Sequence, residues 1–263
     1  MSARPVPATP VAGTTVPALA IRAGSKRFGG VVALDQVDLE VHYGEVLALL
    51  GDNGAGKSTL IKCISGVHRL DSGTIEVDGA EVVMSSPAVA RANGIETVYQ
   101  DLALFDNLDT TGNFYAGREI AVLSWLPRGL RWIKKADMAR SAAEIVDRLE
   151  VNLPARSAAV GMMSGGQRQA IAVARSSAFA SKVVILDEPT AALGLRESRQ
   201  VLDLIARLRD QGCAVIVISH AMDHVIEIAD RALVMRRGRA VGQEVPRPEN
   251  RARIVSLIVG GDD

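Results

Sequence analysis

Val46-Leu47-Ala48-Leu49-Leu50, running straight into Gly51-Asp52-Asn53-Gly54-Ala55-Gly56-Lys57-Ser58-Thr59, is the stretch on which the fold turns. The first five residues are apolar without alternation, as in a strand buried on both faces of a parallel sheet. The next nine match G-x-x-x-x-G-K-[ST], with Gly51, Gly56, Lys57 and Ser58 in register. Leu60, Ile61 and Ile64 then recur at helical spacing, and Gly66 is placed to stop that helix. Strand, glycine loop and helix come in the order a phosphate cradle requires. The loop through Asn53, Gly54 and Ala55 lets backbone N–H groups close on phosphate oxygens, and the helix N-terminus adds partial positive charge. Lys57 reaches the β- and γ-phosphates, while the Ser58 hydroxyl takes a position on Mg²⁺.

The 263 residues suffice for one large α/β domain, or one domain carrying an inserted subdomain. An apolar fraction of 48% supports a substantial core. Basic and acidic residues are equal at 30 each, so the chain lacks the excess positive charge of a general nucleic-acid binder. The local cluster Arg128, Arg131, Lys134 and Lys135 reads as a solvated face. Cys63 and Cys213, read as lying in helix and strand interiors, behave as small hydrophobes in a reducing compartment. No apolar run approaches the ~18 residues of a membrane span, and the N-terminus lacks a secretory pattern. A cytoplasmic protein is expected, any membrane role coming through a partner.

Residues 1–17, with four prolines among Ala, Thr and Val, read as an extended, disordered tail ahead of a domain spanning 18–263. Short strands are expected between Leu19 and Val41, separated by Lys26-Arg27-Phe28-Gly29-Gly30. Phe28 offers a ring for a base to stack on, although an aromatic taken alone is usually buried. A strand over Gly73–Val77 and a turn come next, then a short helix after Ser86-Pro87. The strand Ile95–Tyr99 follows, ending at Gln100. The region of about 102–165 reads as an α-helical insertion without strong strands. Its helix over Ala136–Val151 presents Met138, Ala142, Ile145, Val146 and Leu149 on one face. The segment Trp125–Trp132 is a satellite core or a docking surface.

Ser164-Gly165-Gly166-Gln167 precedes a helix, giving either an ordinary cap or an exposed N-terminus with donors for an anion. Two further apolar strands end in chemistry: Val183–Leu186 runs into Asp187-Glu188, and Ala214–Ile218 into Ser219-His220. Ligands of parallel α/β sheets sit beyond the carboxyl ends of the strands. The phosphate loop, two acids and a histidine therefore meet at one edge. Asp187 is placed to hold Mg²⁺, Glu188 to orient and polarise an attacking water, and His220 to contact the γ-phosphate; phosphoryl transfer needs little beyond such positioning and charge. Helices at Arg196–Gln211, Ala221–Ile228 and Ile254–Ile258 and a strand at Ala232–Met235 complete the reading.

In this order the motifs resemble the ATP-binding subunits of ABC transporters, over about residues 19–260. The resemblance implies a P-loop NTPase core with a mainly parallel sheet, an N-terminal antiparallel β subdomain and an inserted helical subdomain. It implies ATP and Mg²⁺ as ligands, Phe28 stacking on adenine, and catalysis by Glu188, His220, Lys57 and Gln100. The metal set it implies is Ser58, Gln100 and Asp187. Two copies would meet head to tail, so that Ser164, Gly165, Gly166 and Gln167 of one close over ATP on Gly51–Thr59 of the other. Gln100 would couple the site to integral membrane permease subunits docked on the helical region, the subunit lying peripherally on the inner face of the cell membrane.

The segments Glu96–Leu104 and Glu188–Gly194 look like those of bacterial monosaccharide importers of the ribose, xylose and fructose type, which also use an extracytoplasmic sugar-binding protein. One residue departs from the general family pattern: Gly194 stands where an aspartate that helps link the two ATP sites is usual. The alternative is a soluble cassette ATPase acting in DNA maintenance or translation. The absence of long heptads, of a second cassette and of a basic excess argues against it.

Overall fold

A computed structural model describes residues 16–122, 132–153, 155–180 and 182–260. In chain order, β1 (Leu19–Phe28), β2 (Val31–Val41) and β3 (Val46–Leu50) precede α1 (Lys57–Ile64), followed by β4 (Ser72–Val77), β5 (Ala80–Glu81), α2 (Pro87–Ala92) and β6 (Ile95–Val98). The middle of the chain holds α3 (Thr110–Tyr115), β7 (Ala121–Val122), β8 (Trp132–Ile133), α4 (Lys135–Arg148) and α5 (Gly165–Phe179). The last part comprises β9 (Val183–Asp187), α6 (Leu195–Asp210), β10 (Ala214–Ile218), α7 (Met222–Ile228), β11 (Arg231–Arg236), β12 (Arg239–Glu244) and α8 (Arg251–Val259).

The central sheet has the order β12-β11-β3-β10-β9-β6, parallel throughout except for β12, which returns antiparallel to β11. Successive side chains of a strand face opposite sides, and the apolar runs divide accordingly. Leu47, Leu49, Val183, Ile185, Ala214, Ile216 and Ile218 join the core shared with α1 and the antiparallel sheet β2-β1-β4-β5. Val46, Val184, Leu186, Val215 and Val217 join the opposite core, with α4, α5 and α6. Ala48 and Leu50 pack under α7 and α8. Runs without alternation are what a sheet covered on both faces demands.

Several expectations are revised. Residues 19–41 form two long strands, because bulges near Gly24 and Lys26 let β1 continue through Phe28 to the Gly29-Gly30 turn. Pro17 is buried, so the packed chain starts before residue 18; residues 1–15 of the expected tail lie outside the described residues. Cys213 is buried in the connection just before β10, not within a strand. The helical insertion carries a small antiparallel pair, β7 with β8, too short to leave a period in the sequence. Trp132 is 80% exposed, which removes it from any satellite core, whereas Trp125 lies outside the described residues. The strand β12 was missed, its half-exposed Arg-Ala-Val-Gly-Gln-Glu showing no clear alternation.

In the insertion one buried amide organises the loop before α3. Asn113 Nδ2 donates to Phe105 O, Leu108 O and Asp109 O at 3.0, 3.2 and 3.1 Å, and its Oδ1 accepts from Phe105 N at 2.7 Å. Asp109 in turn caps the helix, accepting from Gly112 N at 2.7 Å. Truncating Asn113, which is fully buried, strands Phe105 N without its acceptor and removes a second donor from three carbonyls that keep their backbone bonds from Leu108 N, Val160 N and Asn113 N. N113A is expected to lose about 2–3 kcal/mol of stability in a denaturant titration.

Candidate nucleotide site

The glycine loop takes the shape that its sequence predicts. Gly56 has φ 105°, outside the range side chains favour, and a Cβ there would stand 2.7 Å from Ala33 O. This lets the loop pass under the start of β2 and present the first turn of α1 to the cleft. No side chain caps that turn and no acid lies in it, so its N–H groups remain available as donors. Lys57 is 7% exposed, and its Nζ donates to Gly51 O at 2.6 Å and Asp52 O at 3.0 Å. Burial pushes its pKa down, against the pull of Glu188, Asp52 and Asp187. A buried ammonium beside the free N–H groups of a helix N-terminus is the chemistry that receives an anion.

The parallel register supplies the rest. Ile218 pairs with Leu49 on one side and Asp187 on the other, while Val98 pairs with Leu186. The carboxyl ends of β3, β10, β9 and β6 therefore lie in a row. They bring Asp52–Thr59, Gln100, Asp187, Glu188 and His220 onto one cleft of about 350 Å³, joined by Val31, Val32, Ala33 and Ile218. Desolvation raises the pKa of Asp187, opposed by Lys57 and His220. Glu188 is also raised, again chiefly by burial. Its Oε1 is buried and accepts no hydrogen bond from the chain, although His220 Nε2 stands 3.2 Å away, near enough for attraction but not aligned to donate. The site thus holds a carboxylate oxygen with a free lone pair beside a cradle of donors.

Other residues singled out by sequence lie elsewhere. Ser164 is the N-cap of α5, in a capping box with Gln167: Gln167 N donates to Ser164 Oγ at 3.3 Å and Ser164 N to Gln167 Oε1 at 3.0 Å. Ser164 and Gly165 are exposed, and none of Ser164, Gly165, Gly166 and Gln167 lines the cleft. The bland reading as a helix cap is correct as far as it goes. Phe28 does not line the cleft either, but its ring is 45% exposed, which overturns the core reading of a lone aromatic. It meets His68 edge-on at 5.1 Å, with Lys26 Nζ 5.5 Å from its centre.

Gly194 acquires a physical reason. Glu197, in the first turn of α6, folds back so that a Cβ on Gly194 would stand 2.6 Å from its Oε2. Its Cβ and Cγ also occupy the space a Cβ on Gly166 would need, both at 2.6 Å. An aspartate at 194 would set a second carboxylate against that of Glu197, so a glycine there and an acid three residues later form one local arrangement. Sequence reading missed Glu197 and the cleft-lining Val31 and Val32. Their exposure, 66% and 41% for the two valines, was the only signal, and a strand pattern does not reveal it.

The ABC transporter family profile matches residues 34–191. A fructose import ATP-binding protein of Rhizobium meliloti is 44% identical, over 94% of this chain and 95% of its own length. A xylose/arabinose import ATP-binding protein of Sulfolobus acidocaldarius is 42% identical, over 91% and 93%. A ribose import ATP-binding protein of Rubrobacter xylanophilus is 42% identical over 93% of this chain, which spans only 47% of that protein. Among solved structures, an ATP-binding cassette of an ABC transporter in its ADP conformation superposes with a TM-score of 0.80 at 24% identity, covering 94% of this chain and all of that one. A dimeric bacterial ABC transporter cassette gives 0.70 at 21% identity, over 87% and 99%.

The raised pKa of Glu188 makes its charge a stability cost. A carboxyl whose folded pKa exceeds its unfolded one supports folding fully below the unfolded value and loses that support as pH rises through the folded value. E188Q is therefore expected to melt with the wild type in acid and at a higher temperature near neutrality. Thermal scans of the nucleotide-free protein across that window check it.

Proposed function

The chain belongs to the ABC transporter family, and from that membership we propose that it is the ATP-hydrolysing subunit powering import of a monosaccharide. One observation carries the hydrolytic part: the single cleft in which the glycine loop, Asp187, Glu188, His220 and Gln100 converge. The sugar is supported by relatives named for import of fructose, xylose/arabinose and ribose, two of which match over nearly their whole length.

Each side chain has a part in this reading. N–H groups of Gly54 and of Gly56 to Thr59 donate to the phosphate oxygens, and Lys57 exchanges its loop carbonyls for the β- and γ-phosphates. Phe28 presents its exposed ring to the adenine. Ser58, Asp187 and Gln100 would hold Mg²⁺: the Ser58 hydroxyl is exposed in the cleft, and a cation beside Asp187 offsets the burial that raises its pKa. When bound, the ion neutralises charge on the β- and γ-phosphate oxygens. Glu188 Oε1, which accepts no hydrogen bond from the chain, orients a water for in-line attack and accepts its proton, while His220 contacts the γ-phosphate.

The cleft is half of a working site. Ser164–Gln167 hold the N-terminus of α5 outside the chain's own cleft, and a second copy placed head to tail would bring that terminus to the nucleotide. Among the described residues no helix is long and apolar enough to cross a membrane. Passage of the sugar therefore belongs to integral permease subunits, fed by an extracytoplasmic sugar-binding protein, with this subunit docked on the cytoplasmic face.

E188Q is expected to bind ATP and form an ATP-dependent dimer by light scattering, while losing about 10²-fold or more in turnover; wild-type hydrolysis would refute the role. At the level of the cell, deleting this subunit is expected to abolish uptake of one labelled monosaccharide and K57A to fail to restore it. Undiminished uptake of every monosaccharide offered would remove the sugar assignment.

A further inference from the structure

Two polar side chains behind the cleft take no part in holding the nucleotide. Thr190 is buried, two residues past Glu188; His224 is half-buried on α7, four residues past His220. Thr190 Oγ1 and His224 Nδ1 are 3.0 Å apart. Neither residue lines the cleft, and the role of neither was legible in sequence.

Their importance lies in the path of the chain. Beyond β9 and β10 the two segments leave the sheet side by side. They are tied first by Glu188 N donating to Ile218 O at 3.0 Å, next by Glu188 Oε1 facing His220 Nε2 at 3.2 Å, and last by Thr190 with His224. The backbone bond fixes the root of this ladder and the threonine–histidine bond its far end. Between them Glu188 is held at φ 52°, a conformation that non-glycine residues keep only where their surroundings impose it. A small cavity of about 10 Å³ lies beside the bond, its walls including Ala48, Leu202, Val217, Val225 and Ile228. It has room for about one water at most, so solvent on that side is a poor substitute for the lost partner.

We propose that Thr190 and His224 form a positioning clamp that sets Glu188 and His220 in register for hydrolysis without touching ATP. The bond serves in either state of the ring: a protonated Nδ1 donates to Oγ1, and an unprotonated Nδ1 accepts from it. The proposal rests on the reading of Glu188 as the group that orients the attacking water.

T190V keeps the shape of the side chain and removes the hydroxyl. It is expected to lower kcat about tenfold while KM for ATP moves less than about twofold, since misplacing a reacting group costs turnover rather than binding. T190S, which retains the hydroxyl, and H224N, whose amide can meet Oγ1, are expected to recover most of the rate. T190V/H224A is expected to be no slower than the slower single variant, because both remove one interaction. E188Q, inactive in the same assay, tests the underlying reading separately. A T190V enzyme with wild-type kcat overturns the clamp. So does a T190S enzyme as slow as T190V, which would make the threonine a packing residue. Should T190V fail to fold, H224A against H224N reads the same comparison, with equal rates for the two counting against the proposal.

Discussion

Parallel pairing of β3, β10, β9 and β6 in fixed register is the constraint on which everything else depends. Strands that run the same way and are buried on both faces must end together, so whatever follows each apolar run is delivered to one edge. The glycine loop, Ser219-His220, Asp187-Glu188 and Gln100 are neighbours because Ile218 pairs with Leu49 and Asp187, and Val98 with Leu186. A slip of one residue would turn every inward side chain to the other face and move each of these groups by a strand step. The division of the apolar residues between two separate cores makes such a slip costly.

Burial at that edge produces the electrostatics. Lys57 is desolvated and carries a lowered pKa; Asp187 and Glu188 are desolvated and carry raised ones. The two signs sit within one cleft, where Lys57 leans on two loop carbonyls and Glu188 Oε1 accepts no hydrogen bond. Glu188 combines a left-handed backbone, an unpartnered carboxylate oxygen and an uncomfortable charge. Such features cost stability and persist where function uses them. The loop after β9 is accordingly tied on several sides, at its root by Ile218 O and beyond Glu188 by His224.

The helical insertion adds a second anion-ready terminus, that of α5, which its own cleft does not receive. Glu197 packs tightly on Gly166 at this terminus and folds over Gly194, joining Ser164–Gln167 to the start of α6. At Gly194 the departure from the general family pattern has a local electrostatic basis in the carboxylate of Glu197.

Much of this architecture was legible from residues 46–59 outward. Runs without alternation identified the buried strands, glycine spacing identified the loop, and the residues ending each strand identified the acids and the histidine. These are local properties: periodicity, backbone freedom and polarity act over a few neighbouring residues. What only the tertiary structure decided involves residues distant in sequence or matters of exposure. It turned Phe28 outward, made Trp132 a surface residue, set Val31 and Val32 in the cleft wall and joined Thr190 to His224 across 34 positions. It also left Ser164–Gln167 outside the chain's own cleft. Those outcomes depend on bulges in β1, on the angle at which α5 and α6 meet and on where α7 leaves the sheet. No short-range pattern encodes them, because each is settled by packing between elements and not within one.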